Sequence, residues 1–488
     1  MANIDEIKKT RLAKLKAIQK AGLLAYPGQT KRTHTCLEAQ EQFEKFSSSE
    51  KEIILTGRIL ALRQHGGLIF STIEDGSGKF QILFKKDGLG EKSYQFFLDN
   101  FDIGDFIEAR GVLFATQRGE KTLQVADYKM LAKSLLPLPE KWHGIQDVEE
   151  RFRKRYLDLI FNPEIRKKFQ IRSQVITQIR TDLEKAGFLE VETPILQPLY
   201  GGATARPFKT HLNALDVDLY LRISPELYLK RLLVGGFEKV YEIGKCFRNE
   251  GLDKVHNPDF TMLEFYWAYS DYKELMKFTE KFISGLAKNV LGATKIMYEG
   301  REVDFTPPWP RIEYLSFLKE HTGIDFDEIN LETLKKEAKK LGVEPRGGKS
   351  EIADEIYKKM CRPKILNPVF LIHYPADAFP LAKQLDSDEK KSDSFQVVVA
   401  GMEIVKAFSE QNNPIVQRER FEEQEKIFKQ GFSEAQRLDE DFIEALSHGM
   451  PPAAGFGMGI DRLVALLTDS HSLREAILFP TMRPKQHD

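Results

Sequence analysis

Three stretches of the chain set charged side chains among apolar, aromatic and glycine neighbours, where packing alone would not demand them. The first runs Tyr241-Glu242-Ile243-Gly244-Lys245-Cys246-Phe247-Arg248-Asn249-Glu250, turns, and returns as His256-Asn257-Pro258-Asp259-Phe260-Thr261-Met262-Leu263-Glu264-Phe265-Tyr266. Read as strand, loop, strand, it gives Glu242, Arg248 and Glu250 one parity and puts Glu264 and Tyr266 together, each set on one face of the sheet. Charges on a strand face ordinarily mean a solvated sheet. These neighbours are apolar, so the charges are expected to line a pocket, where a guanidinium suits a phosphate or carboxylate. The second stretch, Pro451 to Leu467, has glycine at 455, 457 and 459 and opens into an apolar helix carrying Arg462. Such glycines let a ligand approach the backbone, and the helix N-terminus attracts anions. The spacing is G-x-G-x-G near the end of the chain, not the dinucleotide fingerprint, and no Walker lysine loop is present. The third stretch, Lys185 to Leu196, is a helix stop at Gly187 leading to a strand bent by Pro194, and alone it reads as an ordinary turn.

The elements that must position these residues can be read from length and periodicity. The chain has 488 residues, 72 basic and 73 acidic, with 42% hydrophobic residues and three cysteines. Several buried cores are therefore expected, and disorder, a collagen-like repeat and a disulfide scaffold are excluded. Cys36, Cys246 and Cys361 are too scattered for a metal knuckle, which suits a reducing, cytoplasmic setting. No apolar run reaches about 18 residues, so no membrane partner is expected. Residues 1–50 are expected to form an N-terminal helical extension, starting with a basic amphipathic helix that either packs on a neighbour or meets RNA phosphates. From Ile53 to about Leu131 short alternating strands appear, with a hairpin around Gly76-Ser77-Gly78. Five strands in that length suit a small closed barrel of the oligonucleotide-binding type, placed at 51–138. Prolines 137 and 139 mark a boundary, with a linker at 139–150 and a larger mixed domain at 151–488. That domain opens with a helix through Ile165, Phe169, Ile176, Ile179 and Leu183, and two short helical runs, Lys335 to Gly342 and Glu351 to Met360, suggest an insertion at about 320–365. The fold class is α+β.

In their order, the three stretches resemble the signature motifs of class II aminoacyl-tRNA synthetases. With the barrel and the runs Gly201 to Phe208 and Leu221 to Arg231, the chain looks like the bacterial-type lysyl branch over nearly its whole length. The resemblance implies a catalytic domain built on a six-stranded antiparallel sheet flanked by helices, a homodimer formed through the first motif, and a barrel that reads the anticodon. It implies ATP-dependent attachment of L-lysine to tRNA(Lys) through a lysyl-adenylate, with Mg²⁺ bound alongside ATP. Carried over by position, Arg248 and Arg462 would be catalytic. Arg248, Glu250, His256, Phe260 and Arg462 would bind ATP, with adenine between Phe260 and Arg462. Gly202, Glu242, Arg248, Glu264, Tyr266, Phe408 and Glu410 would bind lysine, Glu242 taking the α-ammonium and Glu410 the side-chain ammonium. Glu403 and Gln396 would hold the metal, and Arg63, Phe70 and Gln81 would contact the anticodon. A carboxylate-lined pocket requires a cationic guest, which favours lysine.

The chain departs from that pattern at three places. Gln396 stands where a carboxylate is usual, Lys406 where an asparagine is usual, and Asp127 where a glutamate is more frequent. The ammonium of Lys406 would repel a lysine side chain unless Glu403, Glu410 or a phosphate neutralises it. Rival readings are a related synthetase for another amino acid, a lysyl ligase acting on protein, whose relatives lack the barrel, and a non-catalytic nucleic-acid-binding paralogue, which would have lost the ATP-gripping residues.

Overall fold

A computed structural model describes residues 3–139, 147–431 and 434–485, and the chain separates into two compact units, Met1–Gln146 and Asp147–Asp488. Residues 140–146, most of the expected linker, lie outside the described residues.

In the first unit, strands β1 (Ile53–His65), β2 (Leu68–Glu74), β3 (Lys79–Lys85), β4 (Phe106–Ala115) and β5 (Lys121–Ala132) close into a barrel in the order β1-β2-β3-β5-β4. Alternation decides what fills it: Ile69 and Ile73 of β2, Phe80, Ile82 and Phe84 of β3, and Ile107 and Ala109 of β4 are buried in one core. The intervening residues, Phe70 and Gln81 among them, point outward. Helix Ile4–Lys20 starts on the Asn3 cap and packs through Ile18 and Arg11. The Arg11 guanidinium donates to the carbonyls of Ile103, Ser134 and Leu136, and Lys14 pairs with Asp102 at 2.7 Å. These two basic residues are therefore structural, while Lys8, Lys9, Lys16 and Lys20 remain exposed.

The second unit is built on β6 (Leu189–Glu190), β7 (Lys239–Phe247), β8 (Asp259–Ala268), β9 (Arg311–Glu313), β10 (Val369–Ile372), β11 (Ser394–Val399), β12 (Met402–Ser409) and β13 (Ala453–Gly459). They form one sheet, ordered β9-β10-β11-β12-β13-β8-β7-β6. The six inner strands are antiparallel, and the short edge strands β9 and β6 join in parallel to β10 and β7. Both faces are covered, by different cores. On one, Leu263, Phe265 and Phe456 pack against helices Pro163–Lys185, Tyr272–Leu291 and Ile460–Leu467. On the other, Tyr266 and Phe408 meet helix Glu226–Val234 and the helices of the insertion. The insertion helices span Leu331–Lys340 and Lys349–Met360. The first starts four residues before the sequence expectation because Asn330 caps it, its side chain accepting from Thr333 N. All three cysteines are buried and unbridged. No described helix is long and apolar enough to cross a membrane.

Candidate active site

A cleft of about 310 Å³ lies on the face of the sheet that carries Tyr266 and Phe408. Strand parity puts its wall there. On β8 the odd residues Leu263 and Phe265 pack on helices, so Phe260, Met262, Glu264 and Tyr266 face the other way. The register then sets side chains in transverse rows. Glu242, Glu264, Gly457, Lys406 and Gln396 form one row across β7, β8, β13, β12 and β11. Val240, Tyr266, Gly455, Phe408 and Ser394 form the next, about 6.7 Å along the strands. Gly455, Gly457 and Gly459 thus give the cleft a floor without side chains. A Cβ on Gly455 would collide with Glu410 Oε1 and come within 2.6 Å of Tyr266 Cε1, whereas one on Gly457 would meet only Met262 Cε at 3.4 Å and more distant atoms.

One end of the cleft is cationic. Strand β7 stops at Phe247, so Arg248 and Glu250 lie on the following loop rather than on the strand, held by Arg248 N donating to Pro258 O at 2.8 Å. The Arg248 guanidinium sits 5.0 Å over the Phe260 ring, and its Nε is buried without a hydrogen-bond partner. Arg462 leaves the first turn of its helix and donates to Glu403 O at 3.0 Å, and burial lowers its pKa. His256 turns its Nδ1 to Asp253 at 2.9 Å. Gly202, Glu250, His256, Phe260, Glu403 and Arg462 all line this cleft.

The other end is acidic and aromatic. Glu264 is fully enclosed, and burial next to Glu226 pushes its carboxyl up to about 8, so with no cation beside it the group is largely protonated at neutral pH. Ser224 Oγ donates to its Oε1 at 2.8 Å and Tyr266 OH approaches its Oε2 at 3.3 Å.

The placement of three residues corrects the sequence reading. Glu242 does not line the cleft: its oxygens accept from the Arg222 guanidinium and from Thr193 Oγ1 at 2.7 Å, leaving it no direct route to an α-ammonium. Glu410 is paired with Lys230, an ammonium with no exposed surface that also bonds Glu226 at 2.6 Å and sits over the Tyr266 and Phe408 rings. The cation expected from a substrate is thus supplied to Glu410 by the protein. Gln396 is also set back from the cleft, its Oε1 accepting from Tyr374 OH at 2.8 Å, so it is not poised as a metal ligand.

Arg222, Glu226, Lys230 and Phe379 are not singled out by the sequence reading, although the first three lie in the Leu221–Arg231 run. Glu226 stands four residues before Lys230, a spacing that usually marks an exposed helix pair and here is buried. Among the described residues no cluster of three metal-ligating side chains occurs, and the carboxylates lining the cationic end are Glu403, the exposed Glu250, and Asp461, which is paired with Arg172. On the barrel, Arg63 stands opposite Phe70 and Thr72 opposite Gln81. Phe70 and Arg63 face outward from β2 and β1, outside the barrel core, while Gln81 Nε2 is bonded to Thr122 Oγ1 at 2.8 Å.

Residues 147–483 match the family model described as tRNA synthetases class II (D, K and N), and residues 53–131 match the OB-fold nucleic acid binding domain. Over 486 residues the chain is 49% identical to the lysine–tRNA ligase of Carboxydothermus hydrogenoformans, covering 99% of each sequence. It is 47% identical to the lysine–tRNA ligases of Moorella thermoacetica, with 99% of each covered, and of Chloroflexus aurantiacus, with 99% of this chain and 100% of the relative covered. Two family models and full-length similarity at this level leave one assignment: the chain belongs to the class II tRNA synthetases, and within them to the lysine–tRNA ligases.

Proposed function

We infer that the protein attaches lysine to tRNA(Lys) in two steps at this cleft. The observation that carries the reading is its polarity: one end offers Arg248, Phe260 and Arg462 to a nucleotide, and the other offers Glu226, Glu264, Tyr266 and Phe408 to a cationic side chain. The lysine carboxylate attacks the α-phosphorus of ATP, an O–P bond forms, and the bond to pyrophosphate breaks with its electron pair leaving on pyrophosphate. No protein base is required, so positioning and charge stabilisation do the catalysis. A hydroxyl of the terminal adenosine of tRNA then attacks the adenylate carbonyl and releases AMP. Arg248 and Arg462 hold the phosphates, Glu250 and Phe260 the adenine, and His256 the phosphate tail. Glu264 and Tyr266 take the side-chain ammonium, and Phe408 packs along the stem. Gly202 gives the amino acid room, since a Cβ there would meet Glu226 and Ser224 within 3 Å. Glu242 acts by fixing Arg222, and Glu410 by fixing Lys230.

Mg²⁺ arrives with ATP. Glu403, neither exposed like Glu250 nor tied to a cation like Asp461, would hold the ion, which would keep most of its ligands from phosphate and water and would neutralise phosphate charge. Arg63 and Phe70 meet the anticodon, Phe70 by stacking on an unpaired base, with Gln81 beside them. A homodimer forms through the first motif, which leaves Leu189, Ile195 and Leu196 close to half exposed on this protomer. We place the protein in the cytoplasm, where its three unbridged cysteines stay reduced. Amino-acid-dependent ATP–pyrophosphate exchange over the full set of amino acids tests the reading: selective exchange with lysine is expected, and exchange only with another amino acid, or none, overturns it.

A further inference from the structure

We propose that Lys406 is a third cation for the reacting anions, its ammonium gripping the junction where the amino-acid carboxylate meets the α-phosphate. The proposal rests on the function inferred above and adds a residue to it.

Position carries the first part. Lys406 lies in the Glu264–Gly457 row, one row from Tyr266, Gly455 and Phe408, and on the same strand as Glu403, which marks the nucleotide end. With the lysine side chain at Tyr266 and Phe408 and adenine at Phe260, the middle row is where carboxylate and α-phosphate must meet. Pairing carries the second. The cations with almost no exposed surface in this unit have carboxylate partners: Arg155 has Asp158, Arg222 has Glu242, and Lys230 has Glu226 and Glu410. Among the described residues, Arg248, Lys406 and Arg462 have none within ion-pair distance, and all three line the cleft.

The Lys406 ammonium instead rests 3.7 Å over the Phe379 ring, a weaker partner than an anion. Burial lowers its pKa against the opposing pull of Glu403 and Glu226, so an arriving anion would favour its charged form. The four-carbon stem lets it swing from the ring to a ligand. A carboxylate and a phosphate repel as they approach, and an ammonium between them offsets that repulsion as the O–P bond forms. The conflict with a lysine side chain is also eased, because Tyr266 and Phe408 lie one row away, and Glu264, in the row of Lys406 but two strands across from it beyond Gly457, is unpaired by any cation and free to take that ammonium.

The test combines lysine-dependent pyrophosphate exchange with calorimetric binding of ATP, L-lysine and 1,5-diaminopentane, which has the lysine stem but no carboxylate. Lys406→Met is expected to lower kcat/KM for exchange by about 10- to 100-fold and to weaken ATP and lysine binding, with diamine binding unchanged. Lys406→Arg is expected to recover part of the loss. Exchange by Lys406→Met at the wild-type level, or tighter binding of the diamine on loss of the ammonium, overturns the proposal. Melting curves check the fold, and Lys406→Gln replaces Lys406→Met if the apolar chain disturbs it. A wild-type protein without lysine-dependent exchange would sink the underlying reading instead. ATP affinity then decides for Lys406: weaker in Lys406→Met keeps it, equal affinity removes it.

Discussion

At the scale of single residues, Glu264 links proton uptake to folding and to substrate. Its carboxyl is pushed from 4.5 to about 8. A raised folded-state value means that the stability it contributes is complete below pH 4.5 and is lost as pH rises through about 8. Urea unfolding of wild type and Glu264→Gln between pH 5 and 9 is expected to show wild type falling behind the variant as pH rises; parallel curves would disprove the shift. A lysine ammonium beside this carboxyl drives its proton off, so lysine binding near pH 7 should release a proton, measurable by calorimetry in buffers of different ionisation enthalpy. The glycines of β13 separate packing from binding in a second pair of variants. Gly455→Ala forces a methyl into Glu410 and Tyr266 and should cost about 1–3 kcal/mol of stability as well as lysine affinity. Gly457→Ala has space for its methyl and should keep its melting temperature while losing substrate affinity, because the methyl narrows the cleft floor.

At the scale of elements, the helix Glu226–Val234 is locked to the residue that follows β12 by an ion triad of Glu226, Lys230 and Glu410. Lys230→Met leaves two buried carboxylates without their cation and is expected to cost about 3–5 kcal/mol, read by denaturant melts. The double variant Lys230→Met/Glu410→Gln should recover a measurable part of that cost, and strict additivity would count against the triad. The same helix shows where the sequence stops being legible. Alternation exposed the barrel strands and the β7 and β8 runs, because a period of two is local information. The row that joins Glu264 to Lys406 across Gly457 depends on pairing each of them with a strand far along the chain, which no local pattern carries. Parity puts Arg248 and Glu250 on the strand, but the strand ends at Phe247, three residues before Glu250, and both lie on the loop that lines the cleft. The sequence points Glu410 at a substrate ammonium, whereas the structure pairs it with Lys230, whose spacing from Glu226 cannot be told from a surface helix pair.

At the scale of the whole molecule, the two units have separable tasks. Phe70→Ala removes an outward aromatic from the barrel without touching its core, so the KM for tRNA in lysine charging should rise about 10-fold or more, while tRNA-independent pyrophosphate exchange stays at the wild-type level. Equal losses in both assays would mean that Phe70 supports the fold instead. The buried cysteines divide between the same units: Cys36 lies in the first, and Cys246 and Cys361 in the second. Enclosure pushes the thiols of Cys36 and Cys246 up to about 12 and that of Cys361 to about 11, so the native protein offers almost no thiolate to an alkylating reagent. Each thiol is therefore a timed label for the opening of its own surroundings. Pulse alkylation followed by peptide mass mapping would read the opening rates of the barrel unit and the catalytic unit separately, in one unmodified chain.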